Sequence, residues 1–192
     1  MIISTPEPAT AAGAVEGMYQ DDLDEFGMVF AHTRAMALNP DAYAAFEALI
    51  RSVVPSIGMR TYELATLAAA AAVGSPHCLL AHGYKTVRAG ILDEEQLERV
   101  ARGAGDADLT PQDRAVMRYA ARLSTDAAAM GDADSEALRA VGFTDRQIVD
   151  ITVAAAARNM LSRTLLALAV PTEDVPGLSP RLADALLSPL TS

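Results

Sequence analysis

The sequence of 192 residues has no tryptophan, only four phenylalanines and five tyrosines, and a single cysteine. Strands are usually filled by aromatic and β-branched side chains, whereas alanine, which is abundant here, has the highest helix propensity. This composition predicts an all-α protein. One cysteine excludes an internal disulfide and a cysteine-rich metal cluster, and we predict neither a metal nor another cofactor.

Basic residues are also few. Fifteen lysines and arginines face 25 aspartates and glutamates, which gives a formal net charge of -10 and argues against a nucleic-acid or anionic-membrane partner. Apolar stretches such as 64–73 and 148–157 are too short to span a bilayer. The first residues lack the basic and apolar regions of a signal peptide, so we predict a cytoplasmic protein that binds neither nucleic acid nor membrane.

The chain is long enough for one well-packed domain and too short for two. Residues 1–20 lack an apolar period and are predicted to form a flexible arm. Residues 21–170 form the predicted helical domain. Residues 171–192, which contain several prolines, form a predicted tail with room for one short helix.

Prolines, glycines and capping residues mark the predicted helix ends. Asn39 and Ser75 each precede a proline, the usual N-cap and first position of a helix, and Gly74 suits a helix stop. Pro55 is predicted to end a helix. In chain order, the predicted helices cover about residues 22–39, 40–55, 59–74, 76–89, 93–100, 110–123, 135–141, 144–168 and 182–187.

Four residues around the turn at Gly74 carry the most plausible chemistry. Cys78 lies in the first turn of the predicted helix that Ser75 caps, where the helix dipole favours a thiolate. His82 follows four residues later on the same helix face and is placed to accept the thiol proton. If the turn folds the two helices into a hairpin, Glu63 returns toward His82 and completes a carboxylate–imidazole–thiol relay.

Other polar residues have ordinary structural interpretations. We expect His77 to face solvent, because it is adjacent to Cys78 and points elsewhere on the helix. Tyr62 and Tyr84 are expected to form pocket wall or packing. Asn159 and Arg163, four apart on a long helix, predict a structural polar pair or an interface contact.

These residues also carry a family resemblance. AhpD-like alkylhydroperoxidases show a glutamate, eleven residues, Cys-x-x-Cys, three residues and a histidine, and Glu63, Ser75, Cys78 and His82 stand at those four places. The downstream segment GFTDRQIVDITVAAAARNMLSRTLLALAV is similar to the second helical half of the family. The sequence, over about residues 25–170, resembles the AhpD-like and carboxymuconolactone decarboxylase superfamily.

The resemblance implies a bundle of six to eight helices and a homo-oligomer: a dimer, trimer or hexamer. It also implies reduction of a hydroperoxide by the reactive cysteine. Ser75 replaces the first cysteine of the motif, and a serine cannot resolve a sulfenic acid, so turnover requires an external thiol reductant.

Two alternatives to the peroxidase remain. One is cofactor-free decarboxylation or isomerisation of a small lactone or keto acid, in which acid and base groups act on a small organic acid without cysteine redox chemistry. The other is a non-catalytic binding protein that has kept the fold.

Overall fold

The computed structural model describes residues 1–190, which contain nine α-helices joined by short loops and four short 3-10 turns. The helices are α1 Ala14–Phe26, α2 Ala31–Met36, α3 Pro40–Val73, α4 Pro76–Arg88, α5 Glu94–Ala101, α6 Pro111–Asp126, α7 Asp132–Arg139, α8 Asp145–Ala167 and α9 Pro180–Leu187. No strand occurs in this range. The all-α prediction is confirmed, with one helix more than the six to eight expected.

Local signals place most helix ends correctly. The side chain of Asn39 accepts a hydrogen bond from the backbone of α3, and Gly74 ends that helix in the left-handed conformation. Capping boxes, in which the N-cap and the third helical residue bond to each other's backbone, start three helices. They join Asp93 with Gln96, Thr110 with Asp113, and Thr144 with Gln147.

The break in α3 lies at Gly58 rather than at Pro55. Pro55 is inside helical backbone, whereas Gly58 adopts φ 80° and ψ 156°. A positive φ is readily adopted only by glycine, so the chain turns there without steric cost. The prediction that Pro55 ends a helix is therefore wrong by three residues, and the half that begins at Met59 is as expected.

The beginning of the chain is more ordered than predicted. Helix α1 starts at Ala14, inside the range assigned to an arm, and Tyr19 is buried with its hydroxyl donating to the Pro6 carbonyl at 2.9 Å. The single helix predicted from residue 22 is wrong, because Gly27 with φ 73° ends α1 before α2 begins. The signal was present in the sequence, because Val15, Tyr19, Leu23 and Phe26 recur at intervals of three or four residues.

The core surrounds the second half of α3, whose residues from Leu64 to Ala70 are almost completely inaccessible to solvent. Helices α6 and α8 pack on one side of it, and α4, α5 and α9 pack on the other. Alanine methyls line much of the contact between α3 and α8, which lets the two helices approach closely. Helix α3 is thus the axis from which neighbouring helices reach the candidate site.

The C-terminal residues pack on this core. In α9, Leu182 and Leu186 are buried against α4 and α5. Among the helices of residues 1–190, none combines the length and apolar character required to cross a membrane.

Candidate functional site

The turn at Gly74 and Ser75 reverses the chain between α3 and α4. Helix α4 then packs along the second half of α3. Glu63 and His82, 19 residues apart in sequence, meet in this hairpin, and Glu63 Oε2 lies 2.6 Å from His82 Nδ1. Both side chains are buried, at 3% exposure each. The predicted carboxylate–imidazole contact is present.

The electrostatics of the pair fix the proton on the imidazole. Burial, assisted by the positive charge of Arg158, lowers the pKa of His82 to about 4. Burial pushes the pKa of Glu63 upward, but its interactions with His82, followed by Lys85 and Arg158, outweigh burial and lower it. At neutral pH the ring is therefore uncharged, its Nδ1–H donates to the carboxylate, and Nε2 carries a free lone pair.

Cys78 is buried in the first turn of α4, and its sulfur has polar neighbours that the sequence did not suggest. Ser162 Oγ donates to Cys78 Sγ at 3.2 Å, and Arg158 Nη1 donates to it at 3.6 Å. Across residues 1–190, no hydrogen bond joins the sulfur directly to His82. Cys78 and His82 lie one turn apart on α4, as predicted, but among the described residues the sulfur–imidazole step of the relay has no direct hydrogen bond.

Arg158 is a buried cation whose neighbours are a hydroxyl group and an aromatic ring. It is 5% exposed, its Nη2 donates to the Tyr62 hydroxyl at 3.2 Å, and its guanidinium lies 5.7 Å from the centre of the Phe46 ring. Within the described chain, no carboxylate lies within ion-pair distance of it. Burial acts to lower the pKa of Arg158, but Cys78 and Tyr62 raise it above its ordinary value.

Ser75 occupies the N-cap position of α4 but does not act as a capping side chain. It is completely buried, and its hydroxyl has no hydrogen-bond partner among the described residues. The expectation that it caps the helix through its side chain is therefore wrong. Only its position at the turn is as predicted.

His77 is buried rather than solvent-exposed, so that expectation is also wrong. Its ring Nε2 donates to the Pro171 carbonyl at 2.8 Å, because the segment after α8 folds back over the start of α4. Tyr84 packs against Phe26 at a ring distance of 5.4 Å, as expected for packing.

The polar pair expected on α8 has a different arrangement. Arg163 donates to the Ser124 carbonyl at 3.0 Å, which joins α8 to the end of α6. Asn159 is buried, and its amide oxygen has no partner among residues 1–190.

The site contains a cavity of about 240 Å³. Its lining includes Cys78, His82, Tyr62 and Arg158, together with apolar residues of α3 and α8. A thiol, a hydrogen-bond acceptor and a cation thus border one space large enough for a small molecule. This arrangement can hold a thiolate, move its proton and accept a compact electrophile.

Arg158 and Ser162 were missed by the sequence analysis. They are one turn apart on α8 and about 80 residues from Cys78, so only packing of α8 against α4 brings them to the sulfur. One signal was available: Arg158 directly follows four alanines in a helix whose other charged residues are widely spaced. An arginine in so apolar a stretch indicates a buried role.

One family profile matches the part of the chain that contains the motif. Residues 40–122, which include Glu63, Ser75, Cys78 and His82, match the sequence profile of the carboxymuconolactone decarboxylase family. Among curated proteins, none matches the sequence significantly.

Several solved structures share the fold. The AhpD-core peroxidase-related protein from Ralstonia eutropha JMP134 is 24% identical, with 90% of this chain and 92% of that chain covered and a TM-score of 0.74. A protein of unknown function from Agrobacterium tumefaciens, suggested by its name to be the antioxidant defence protein AhpD, is 29% identical, with 72% and 97% covered and a TM-score of 0.61.

A third similar structure has a different activity. The debrominase Bmp8, in a cysteine-to-alanine variant bound to 2,3,4-tribromopyrrole, is 17% identical, with 96% of both chains covered and a TM-score of 0.71. The fold therefore hosts more than one activity. The motif, the profile matched over residues 40–122 and the AhpD-like fold agree, and together they support the AhpD-like and carboxymuconolactone decarboxylase superfamily as the group that this chain most resembles.

Proposed function

We propose that the protein is a thiol-dependent peroxidase-like oxidoreductase whose nucleophile is Cys78. The observation that supports this most directly is the buried guanidinium of Arg158, which contacts the sulfur at 3.6 Å and has no carboxylate partner within residues 1–190. A buried cation without a counterion is costly, and a thiolate at Cys78 relieves that cost. Ser162 adds a second hydrogen bond that stabilises the anion.

His82 and Glu63 form the proton-handling part of the site. The neutral imidazole has a free Nε2 lone pair, and it accepts the Cys78 proton through a bridging water in the shared cavity. Glu63 holds the ring through Nδ1 and stabilises the imidazolium when it forms. Ser75 supports the turn that sets Cys78 at the start of α4.

The chemical step is a two-electron oxidation of sulfur. The thiolate attacks the distal oxygen of a hydroperoxide, the S–O bond forms and the O–O bond breaks. The departing alkoxide takes the proton held by His82 and leaves as an alcohol, while Cys78 becomes a sulfenic acid. One external thiol displaces water to form a mixed disulfide, and a second releases reduced Cys78 and a free disulfide.

The proposal is tested by treating reduced protein with cumene hydroperoxide and trapping sulfenic acid with dimedone before mass spectrometry. We expect one adduct at Cys78, formed faster than on a free thiol of ordinary acidity. The Cys78→Ser variant, which keeps the volume of the site, is the matched control and should give none. Oxidation no faster than that of free cysteine would overturn the proposal.

A second function, cofactor-free decarboxylation or isomerisation of a lactone or keto acid, is favoured by the matched family profile. That chemistry uses acid and base groups such as His82 and Glu63 and has no need of sulfur. Assay of a panel of small lactones with the Cys78→Ser variant separates the two functions. Lactone turnover that is retained in the variant supports decarboxylation. If the protein is a peroxidase, the variant instead loses its turnover of hydroperoxide completely.

A further inference from the structure

A second cavity of about 320 Å³ adjoins the cavity that contains the sulfur. It lies between α1, α2, the start of α3 and the first turns of α4, closed on one side by the segment after α8. The two spaces share a set of wall residues: His32, Tyr43, Glu47, His77, Ala81 and Lys85. A molecule whose reactive end reaches Cys78 would therefore place its remaining atoms in this second cavity.

The walls of the second cavity are largely aromatic and aliphatic. Phe26 and Phe30 meet edge to face at a ring distance of 5.0 Å, and Phe30 stacks on His32 at 5.3 Å. Leu80 and Val175 complete the apolar lining. Such a surface suits a flat aromatic or branched apolar group.

The charged groups around this lining are mostly acidic. Five carboxylates border the cavity against one ammonium group, that of Lys85; they belong to Asp21, Asp22, Glu25, Glu47 and Glu173. Glu25 and Glu47 lie 3.7 and 3.6 Å from arginines on the outer surface, which partly neutralise them.

The other three carboxylates have no arginine or lysine close enough to neutralise their charge. Asp22 accepts the backbone N–H of Phe30 at 2.9 Å, and Glu173 accepts that of Ala31 at 2.7 Å. Within residues 1–190, neither they nor Asp21 lie within ion-pair distance of a basic side chain. Lys85 and, from the adjoining cavity, Arg158 act in the opposite direction on the shared wall. The carboxylates that border the second cavity outnumber these two cations, so the net field there disfavours an anionic ligand.

His32, in the shared wall, does not add positive charge. Burial, with the nearby charges of His77, Lys85 and Arg158, lowers the pKa of His32 to about 4, so its ring is neutral at neutral pH. His77 donates through Nε2 to the Pro171 carbonyl, and its buried Nδ1 has no hydrogen-bond partner in the described chain. An unpartnered ring nitrogen in this wall favours a ligand that can form a hydrogen bond with it.

We infer that the second cavity binds the organic part of the substrate and selects by charge, admitting uncharged or cationic aromatic hydroperoxides and disfavouring those that carry a carboxylate. The inference rests on the proposed function for the identity of the reacting group. The charge preference of the cavity is a separate property, because it belongs to residues outside the sulfur site.

Binding is measured first, without chemistry, on the Cys78→Ala protein by titration calorimetry. The probes are the alcohols that correspond to reduced hydroperoxides: cumyl alcohol, its para-aminomethyl derivative and its para-carboxy derivative. We expect the first two to bind and the carboxylate to bind at least about tenfold more weakly at low ionic strength, with the difference shrinking in high salt.

Charge variants locate the effect. Removing two of the five carboxylate charges with D21N/E47Q should narrow the difference in affinity between the neutral and the anionic alcohol by about threefold or more. The matched control is D132N/E136Q on the exposed face of α7, which changes the net charge equally and should leave the gap unchanged. Equal binding of all three alcohols, no binding of any, or an equal response in both double variants would overturn the inference.

Oxidation of Cys78 in the unmodified protein then separates this inference from the proposed function. The three hydroperoxides are compared with hydrogen peroxide, which needs no organic pocket. If the alcohols discriminate by charge but no peroxide oxidises the sulfur, the cavity preference stands and the peroxidase is wrong. If all three organic hydroperoxides oxidise Cys78 rapidly and equally, the peroxidase stands and the charge selection is wrong.

Discussion

Replacement of Arg158 by methionine should slow the chemistry of Cys78 without weakening the fold. The guanidinium lies 3.6 Å from the sulfur, and Coulomb's law with an effective dielectric of about 20 sets an upper limit of about 4–5 kcal/mol on its stabilisation of a thiolate. Hydrogen bonds to charged groups contribute about 1.5–3 kcal/mol in practice. Because Ser162 and water recover part of the loss, we expect a decrease of about 10- to 100-fold in thiolate reactivity.

The assay is the rate of Cys78 alkylation by iodoacetamide, followed by mass spectrometry at neutral and high pH. At neutral pH the R158M variant should react about 10- to 100-fold more slowly. At high pH, hydroxide ionises the thiol in both proteins, and the difference should narrow. The same variant should show a parallel loss in its rate of reaction with cumene hydroperoxide.

Two comparisons separate a chemical role from a structural one. Arg163→Met, on the same helix, removes a guanidinium whose hydrogen bond among residues 1–190 goes to the Ser124 carbonyl, and it should leave the alkylation rate unchanged. Because Arg158 has no carboxylate partner within residues 1–190, methionine leaves no carboxylate unpaired, and the free energy of unfolding of R158M should be equal or higher. A variant that is stable and alkylates at the original rate would refute the reasoning.

Three further predictions follow from other parts of the structure. Folding lowers the pKa of His82 from 6.5 to about 4, so as the pH falls the unfolded chain binds a proton before the folded chain does. Urea denaturation should therefore show up to about 3 kcal/mol of stability that is present above pH 6.5 and lost by pH 4. The free energy of unfolding of His82→Gln should depend less steeply on pH over this range. A Cβ at Gly83 would overlap a leucine methyl of α9, so Gly83→Ala should lower the free energy of unfolding by about 1–3 kcal/mol. Gly17 has open space around it, so Gly17→Ala should raise the free energy of unfolding by about 0.5–1 kcal/mol. Equal melting temperatures of the two variants would contradict this. Ser75→Cys restores the two-cysteine spacing and should form a disulfide with Cys78 on oxidation, seen as a mass loss of two hydrogens that dithiothreitol reverses.

Features that depend on interactions within a few residues of the chain were predicted correctly. The capping pair of Thr144 and Gln147 and the stop at Gly74 depend on hydrogen bonds and φ values of adjacent residues, and both are present. Glu63 and His82 were paired correctly because one short turn separates their helices and fixes their relative position.

The features that were missed depend on packing between distant segments. Which of several helix faces meets the sulfur is decided by the approach of α8, so Arg158 and Ser162 had no local signal of contact. His77 was assigned to solvent because nothing in its own helix indicates that the segment around Pro171 covers it. In α3, proline was taken as the stronger break signal, but the backbone stays helical through Pro55 and breaks at Gly58, where the absence of a Cβ permits a positive φ.

The hydrogen bond from the Ala31 amide to Glu173 joins segments 142 residues apart along the chain. Closing so long a loop has a large entropic cost and is favourable only once the intervening helices have already docked. The bond links the start of α2 to the segment after α8, and both border the second cavity. A change at either end of this bond should alter the shape of the cavity wall as well as the local packing.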